Sequence, residues 1–305
     1  MEHEINMTMR KLKKSIWMKI CSGFYYCSPI FETKILYRFA MNKKLNLSNP
    51  KTFNEKIQWL KLYYKNPLVS KCADKYMVRE YVRECGLENT LNEIYGVYEN
   101  ADNIDFGVLP NKFVIKCTHG SGYNIICTDK SKLNIEQVKK KLNKWMKSRY
   151  SVIAAEIQYD AIQPRIIIEK YLGNEQNKIP LDYKLFCFDG KVRLTMVCEG
   201  RYEKTGTKFY YFNNDWTMLP FDKESRLIYE GKKECKIERP ETFEKMMFYA
   251  EKLSEGFPFV RVDFYEYNKN VILGEMTFTP CAGLDSTLTE ESDLLLGNMI
   301  NLPQN

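Results

Sequence analysis

Histidine is nearly missing from this chain: His3 and His119 are the only two among 305 residues. That scarcity disfavours Ser-His-Asp and Cys-His catalysis, because only His119 is available and no nucleophile motif accompanies it. It also disfavours a zinc site, as no thiolate cluster replaces the missing imidazoles. The ten cysteines include no C-x-x-C pair, and several lie in apolar runs where a free thiol behaves as a small hydrophobe. Without a secretory signal pattern, all ten are expected to be free in a reducing cytoplasm. No run of about twenty apolar residues exists, so no transmembrane helix is expected. There is no long basic stripe and no nucleic-acid signature, which argues against a nucleic-acid partner. The net charge of +7 suits smaller anionic ligands such as nucleotides or acidic sugars, or an anionic membrane surface. Asp-x-Asp, the usual mark of a metal-dependent nucleotide-sugar transferase, does not occur. Neither histidine has an Asp two residues on, so the kinase catalytic loop is missing as well.

What is present is concentrated near the C-terminus. Phe259 to Phe264 and Val271 to Thr277 read as two apolar strands around the polar turn Asn268-Lys269-Asn270. Each strand carries one acid, Asp263 and Glu275, at a separation that lets both reach one face near the same level. Arg261 shares the face of Asp263 because side chains alternate. Buried acids need neutralising partners. Taken alone, the hairpin fits either a metal–phosphate site or a structural salt bridge. As a metal pair, both acids should tolerate removal of their charge without loss of folding.

Upstream, residues 1–70 read as a mostly helical lead. Arg10, Lys11, Lys13, Lys14 and Lys19 interleave with Leu12, Ile16, Trp17, Met18 and Ile20, and Phe24, Tyr25 and Tyr26 follow. This segment reads as a helix packed on the domain or as a basic amphipathic helix on the inner face of a membrane. Thr52 and Glu55 make a capping box ahead of Phe53, Ile57, Leu60 and Tyr64 at helical spacing. A second helix is expected from about Ala73 to Glu84, opening with Asp74-Lys75 and stopped by Gly86. A polar helix is expected from Ile135 to about Arg149. Strands follow at Arg165–Leu172, Asp182–Phe188 and Lys191–Val197, the last two joined by an Asp189-Gly190 hairpin turn.

Gly120-Ser121-Gly122 lies between two strands, Phe113–Cys117 and Ile125–Cys127. A Walker A loop or a dinucleotide fingerprint would open a helix there. This placement leaves a tight turn or a flap whose N–H groups cover phosphates, with Lys116 as a point charge beside it. Glu169-Lys170-Tyr171-Leu172 closes an Ile-rich strand. Such an exit either ends at the surface or offers backbone groups to an adenine edge while Leu172 packs on the ring.

The order of these features resembles the ATP-grasp superfamily, and more narrowly its TupA-like (teichuronopeptide-biosynthesis) branch from bacterial surface-polysaccharide gene clusters. The stretches that carry the resemblance are Lys51 to Lys61, Asp74-Lys75 with Val78 to Tyr81, Lys116 to Asn124, Asp182 to Phe188 and Gly274 to Pro280. It implies an α+β ATP-grasp fold in which two α+β subdomains sandwich ATP. Residues 1–70 would form the helical N-terminal segment, 71–165 the first subdomain with the Gly-rich flap, and 166–305 the second with the metal site. Lys75 and Lys116 would contact the ATP phosphates under the Gly120, Ser121 and Gly122 flap. Glu169, Lys170 and Leu172 would frame the adenine, with Glu175 or Gln176 near the ribose. Lys184 would lie by the phosphates, Arg261 would stabilise the transferred phosphoryl group, and Asp263 and Glu275 would hold Mg²⁺. Many ATP-grasp enzymes have Asn two residues after that Glu; here it is Thr277. The implied activity is ATP-dependent carboxylate–amine ligation through an acyl phosphate. It would join an amino acid or amine to a carboxylate of a capsular or surface polysaccharide, such as a uronic-acid glycan, or of its precursor. The rival readings are a surface-polysaccharide glycosyltransferase, a small-molecule kinase and a non-catalytic nucleotide-binding protein.

Overall fold

Helices at the N-terminal end form where side chains cap them. In the computed structural model, which describes residues 23–174, 176, 179–200 and 207–304, helix α1 (Pro29–Met41) starts behind Ser28, whose hydroxyl accepts from the Phe31 N–H. Helix α2 (Phe53–Tyr63) starts in the expected capping box: Thr52 Oγ1 accepts from the Glu55 N–H, and the Glu55 carboxylate accepts from the Thr52 N–H. A cap of this kind is worth about 1 kcal/mol over alanine. The basic stretch through residue 22 lies outside the described residues. Just beyond it, Tyr25 is buried and donates to Asp160.

The helix expected from about Ala73 to Glu84 is helical only over α4 (Val78–Glu84), and a separate helix, α3 (Pro67–Ala73), ends where it was to begin. Asp74 separates them by drawing the N–H groups of Tyr76 and Met77 onto its own carboxylate at 2.8 and 3.3 Å. Such local bonds compete with helix continuation, and they put Lys75 on a turn. Gly86 follows α4 with φ +66, the left-handed conformation suited to a helix stop.

Two antiparallel sheets come next. The first has the order β1-β4-β2-β3, built from β1 (Ile94–Tyr98), β2 (Phe113–Cys117), β3 (Asn124–Cys127) and β4 (Ile166–Lys170). Phe113, Ile115 and Cys117 alternate inward, onto Val138 and Leu142 of helix α5 (Ile135–Met146). Helix α5 ends before Arg149, where Ser148 turns back to bond the Trp145 carbonyl at 2.6 Å. The second sheet has the order β7-β6-β5-β8-β9, built from β5 (Asp182–Phe188), β6 (Lys191–Glu199), β7 (Lys208–Phe212), β8 (Phe259–Tyr267) and β9 (Asn270–Thr277). The sequence division at residue 166 groups strand β4 with the second subdomain. The strand pairs with β1 and β2 of the first sheet, so the crossing between sheets falls after Lys170.

The second sheet is covered on both faces, which is why β5 is buried at every position. On one face Leu185, Val260 and Val262 meet α4 and helix α7 (Phe243–Ser254). Between β7 and α7 lies the short helix α6 (Lys223–Tyr229). On the other face Phe186, Phe188 and Phe259 pack on Phe53, Ile57 and Leu60 of α2 and on Leu296 of helix α8 (Glu290–Asn298). Followed along β5 and β8, that second face turns from aromatic to charged: Lys184, Arg261 and Asp263 succeed the phenylalanines.

Cys27 and Cys281 are exposed, and none of the nine cysteines among the described residues is in a disulfide. Denaturing, non-reducing thiol titration of freshly purified protein is therefore expected to return all ten thiols. A substoichiometric count reversed by reductant would overturn this. Among the described residues no helix is long and apolar enough to cross a membrane.

Candidate active site

A cleft of about 340 Å³ opens between the two sheets. Its upper wall comes from β2 and β4, where Val114, Lys116 and Glu169 face away from the α5 core. Lys116 Nζ and Glu169 Oε2 are 2.6 Å apart, diagonal neighbours across the β2–β4 ladder. The flap is the β2–β3 hairpin loop. Gly122 has φ +75, and a Cβ on Gly120 would come 2.6 Å from the Tyr150 ring, so both positions require glycine. Lys75 Nζ donates to the Gly120 carbonyl at 2.6 Å and ties the α3–α4 turn to the flap. Burial pushes the Lys75 ammonium down, with Glu275 opposing. Behind the flap, Tyr123 stacks on Trp145 at 5.2 Å, and His119 Nε2 lies 3.0 Å from the Trp145 carbonyl. His119 is thus a packing residue beneath the loop.

The lower wall is the charged stretch of the second sheet. Asp263 and Glu275 are direct cross-strand partners. A bulge at Gly274 allows this: Leu273 pairs with Phe264, while Glu275 keeps to the Asp263 face. A Cβ on Gly274 would lie 3.2 Å from the Asp263 carbonyl. Arg261 grips Asp263 in a fork, Nε to Oδ1 and Nη2 to Oδ2, both at 2.7 Å. It also donates to Thr277 Oγ1 at 3.1 Å and lies 3.6 Å from Glu275. Lys184 Nζ sits 2.5 Å from Asp263 and 2.6 Å from Asp182. Burial pushes the Asp263 carboxyl up, and Arg261 and Lys184 pull it down. For Arg261, burial works against the charge, but the Asp263 carboxylate outweighs it and holds the guanidinium above its ordinary range.

The cleft brings together Lys75, Lys116, Ser121, Gly122, Glu169, Lys170, Leu172, Asp263 and Glu275 from the sequence-predicted set. Arg261 and Lys184 lie just beneath, behind Asp263, and Gly120 is at the flap base. Glu175 lies outside the described residues. Among those described, no group of three His, Cys, Asp or Glu is close enough to hold a metal ion. The oxygen-only pair Asp263 and Glu275, with Thr277 beside it, suits a hard cation that keeps waters and phosphate oxygens as its other ligands.

Sequence reasoning missed a buried polar cluster within electrostatic reach of Glu275 and Lys75. Glu156 is 6 % exposed and accepts from Thr279 Oγ1 at 2.5 Å, while Gln158 Nε2 donates to the same hydroxyl at 2.8 Å. Burial pushes the Glu156 carboxyl up, with the Thr279 bond and Lys61 opposing, and Glu275 and Lys75 lie within electrostatic reach. Tyr159 is raised by burial and by Glu156 and Glu275. Thr279 closes the Gly274–Pro280 stretch, but Glu156, Gln158 and Tyr159 sit in no motif, and no spacing pattern joins them to the hairpin.

A model of the TupA-like ATPgrasp family matches residues 55–301. Among solved structures, D-alanine–D-alanine ligase from Bacillus anthracis in complex with ATP aligns at TM-score 0.44 and 16% identity, over 76% of this chain and 66% of that one. The corresponding ligase from Helicobacter pylori aligns at TM-score 0.41 and 16% identity, over 83% and 70%. D-cycloserine synthetase DcsG aligns at TM-score 0.39 and 15% identity, over 76% and 70%. The chain thus spans just under two thirds of the Bacillus anthracis ligase. No curated protein matches the sequence.

Proposed function

The chain belongs to the TupA-like ATP-grasp family, and on that footing we propose that it is an ATP-dependent carboxylate–amine ligase acting on a carboxylate of a bacterial surface polysaccharide or its precursor. The observation that carries the reading is the inter-sheet cleft, with lysines and a glycine flap on one wall and paired acids on the other. In the proposed reaction a carboxylate oxygen attacks the γ-phosphorus of ATP and ADP departs. An amine nitrogen then attacks the acyl carbon, the bond to phosphate breaks, and the amine sheds a proton. Such a sequence requires positioning and charge neutralisation more than a protein nucleophile, which fits a site without an available histidine.

In this reading Lys75 and Lys116 hold the phosphates under the Gly120, Ser121 and Gly122 flap, and Lys184 supports them from below. Glu169, Lys170 and Leu172 frame the adenine, and the family resemblance assigns Glu175 or Gln176 to the ribose. Arg261 stabilises the transferred phosphoryl group from behind Asp263. Asp263 and Glu275 hold Mg²⁺, which when bound neutralises phosphate charge. Both Asp263 oxygens are engaged by Arg261 and Lys184, and this supports a second reading, nucleotide binding without turnover.

Calorimetry with Mg·ATP, followed by ADP and phosphate release with uronic-acid glycans and a panel of amino acids, separates the two. Binding with acceptor-dependent release is the expected result, and binding without release under any acceptor favours the second reading. Lys116→Met keeps the stem and removes the charge. It is expected to weaken Mg·ATP binding by the worth of a charge-assisted contact, about 1.5–3 kcal/mol. Unchanged affinity in that variant would remove Lys116 from the phosphate site.

A further inference from the structure

Helix α2 has two buried faces, and only one of them is apolar. Beside Phe53, Ile57 and Leu60, one residue further round the helix, Asn54, Gln58 and Lys61 form a polar stripe that is 0, 0 and 5 % exposed. All three side chains hold main-chain atoms of distant segments. Asn54 Oδ1 accepts from the Asp285 N–H at 2.7 Å, and its Nδ2 donates to the Asp285 carbonyl at 3.1 Å. Gln58 Nε2 donates to the carbonyls of Ala282 and Gly283 at 3.0 and 2.8 Å. Lys61 Nζ donates to the Ala154 carbonyl at 2.7 Å and reaches that of Ala282 at 3.4 Å.

The loop so held directly follows β9. Three successive residues in it are left-handed: Cys281 (φ 49), Ala282 (φ 56) and Gly283 (φ 70). Two of them carry a Cβ, and such a conformation persists only where the surroundings over-determine it. A Cβ on Gly283 would come 2.9 Å from Gln58 Nε2, so the loop and the stripe fit each other closely. On its far side the loop presents Cys281, open to solvent and within electrostatic reach of Asp285, Arg261 and Glu156. No stripe residue lines the nucleotide cleft.

We propose that the Asn54–Gln58–Lys61 stripe is a positioning device that holds the Thr279–Asp285 loop in its left-handed form beside Arg261 while leaving the nucleotide cleft untouched. The loop carries its own reporter. Although Cys281 reaches solvent, the packed surroundings of its thiol, with Asp285 adding to them, push it up to about 11. Thiol reactivity follows the thiolate fraction, so Cys281 should be slow to alkylate in the native loop and faster once the loop relaxes.

The test uses the full chain, N-ethylmaleimide in mildly alkaline buffer, and peptide mass spectrometry that reads Cys281 separately. Gln58→Leu and the closely matched Gln58→Met are each expected to speed Cys281 alkylation at least about tenfold, as its thiolate fraction recovers. Calorimetric affinity for Mg·AMP-PNP should meanwhile stay within about twofold, because no cleft contact is lost. An unchanged alkylation rate in folded variants overturns the proposal. So does a parallel loss of nucleotide affinity, since the stripe would then support the whole site. Failure of both variants to fold also counts against it, by making the stripe a general scaffold. If the wild-type chain does not bind Mg·AMP-PNP at all, the ligase reading falls, and the alkylation rates still decide whether the stripe holds the loop.

Discussion

Glu275→Gln is expected to cut ATP turnover at least about a hundredfold, the scale of losing one preorganised electrostatic group, and to melt close to wild type. Asp263→Asn is expected to lose turnover and stability together. The two acids oppose each other across β8 and β9, yet their surroundings differ. The Glu275 side chain is 31 % exposed and lies 3.6 Å from Arg261. Asp263 is 1 % exposed and joins two buried cations, Arg261 at 2.7 Å and Lys184 at 2.5 Å. Removing one member of such a group leaves buried charge uncompensated, at a cost of about 3 kcal/mol. In a chain of this size that shifts melting by on the order of 5 °C. Sequence alone led to the expectation that both variants fold like wild type, and the grip of Arg261 and Lys184 on Asp263 corrects that for one of them. Residues that act as a unit are non-additive, so the double variant should turn over little more slowly than either single. Melting curves and phosphate release on the three variants decide the matter. Persistent ATP-dependent release from folded Glu275→Gln would reduce the hairpin to a structural ion-pair network.

Gly297→Ala should be the most destabilising conservative change on the far side of the molecule. Helix α8 crosses the start of α2 at this glycine. An added Cβ would lie 2.2 Å from the Lys51 carbonyl oxygen, 2.6 Å from the Thr52 carbonyl carbon and 2.7 Å from the Phe53 nitrogen. These are backbone atoms, so no rotamer change relieves the clash. Either α8 backs away from Phe53 and Ile57, or α2 shifts and the Thr52–Glu55 capping box opens. Overpacking plus a lost cap comes to about 3 kcal/mol. Chemical denaturation measures this directly, with Gly23→Ala as the control, since nothing lies within 4 Å of a Cβ there. Equal stability of the two variants would show that the helices separate freely.

Local patterns were the legible part of this chain. The Asp189-Gly190 turn, with φ 48 and 75, joins β5 to β6 where a hairpin signal predicted it. The Thr52–Glu55 box and the alternation that puts Arg261 beside Asp263 depend only on neighbours in sequence. What could not be read is what distant segments do to those patterns. Asn54, Gln58 and Lys61 have the spacing of a solvated helix face, and nothing local says that Asp285, Ala282 and Ala154 cover them. Glu156 stands outside any motif and gains meaning only where Thr279 meets it. The break at Asp74 was missed because helical periodicity runs on through it, while the carboxylate prefers its own downstream N–H groups.

The two lysines of the upper wall are already occupied, Lys75 by the Gly120 carbonyl and Lys116 by Glu169. Any anion that engages Lys116 must first draw it from Glu169, and a buried carboxylate left without its cation is costly. On the ligase reading, a ligand with several phosphates would offset that exchange better than a lone phosphate or sulfate, because it would engage Lys75 as well.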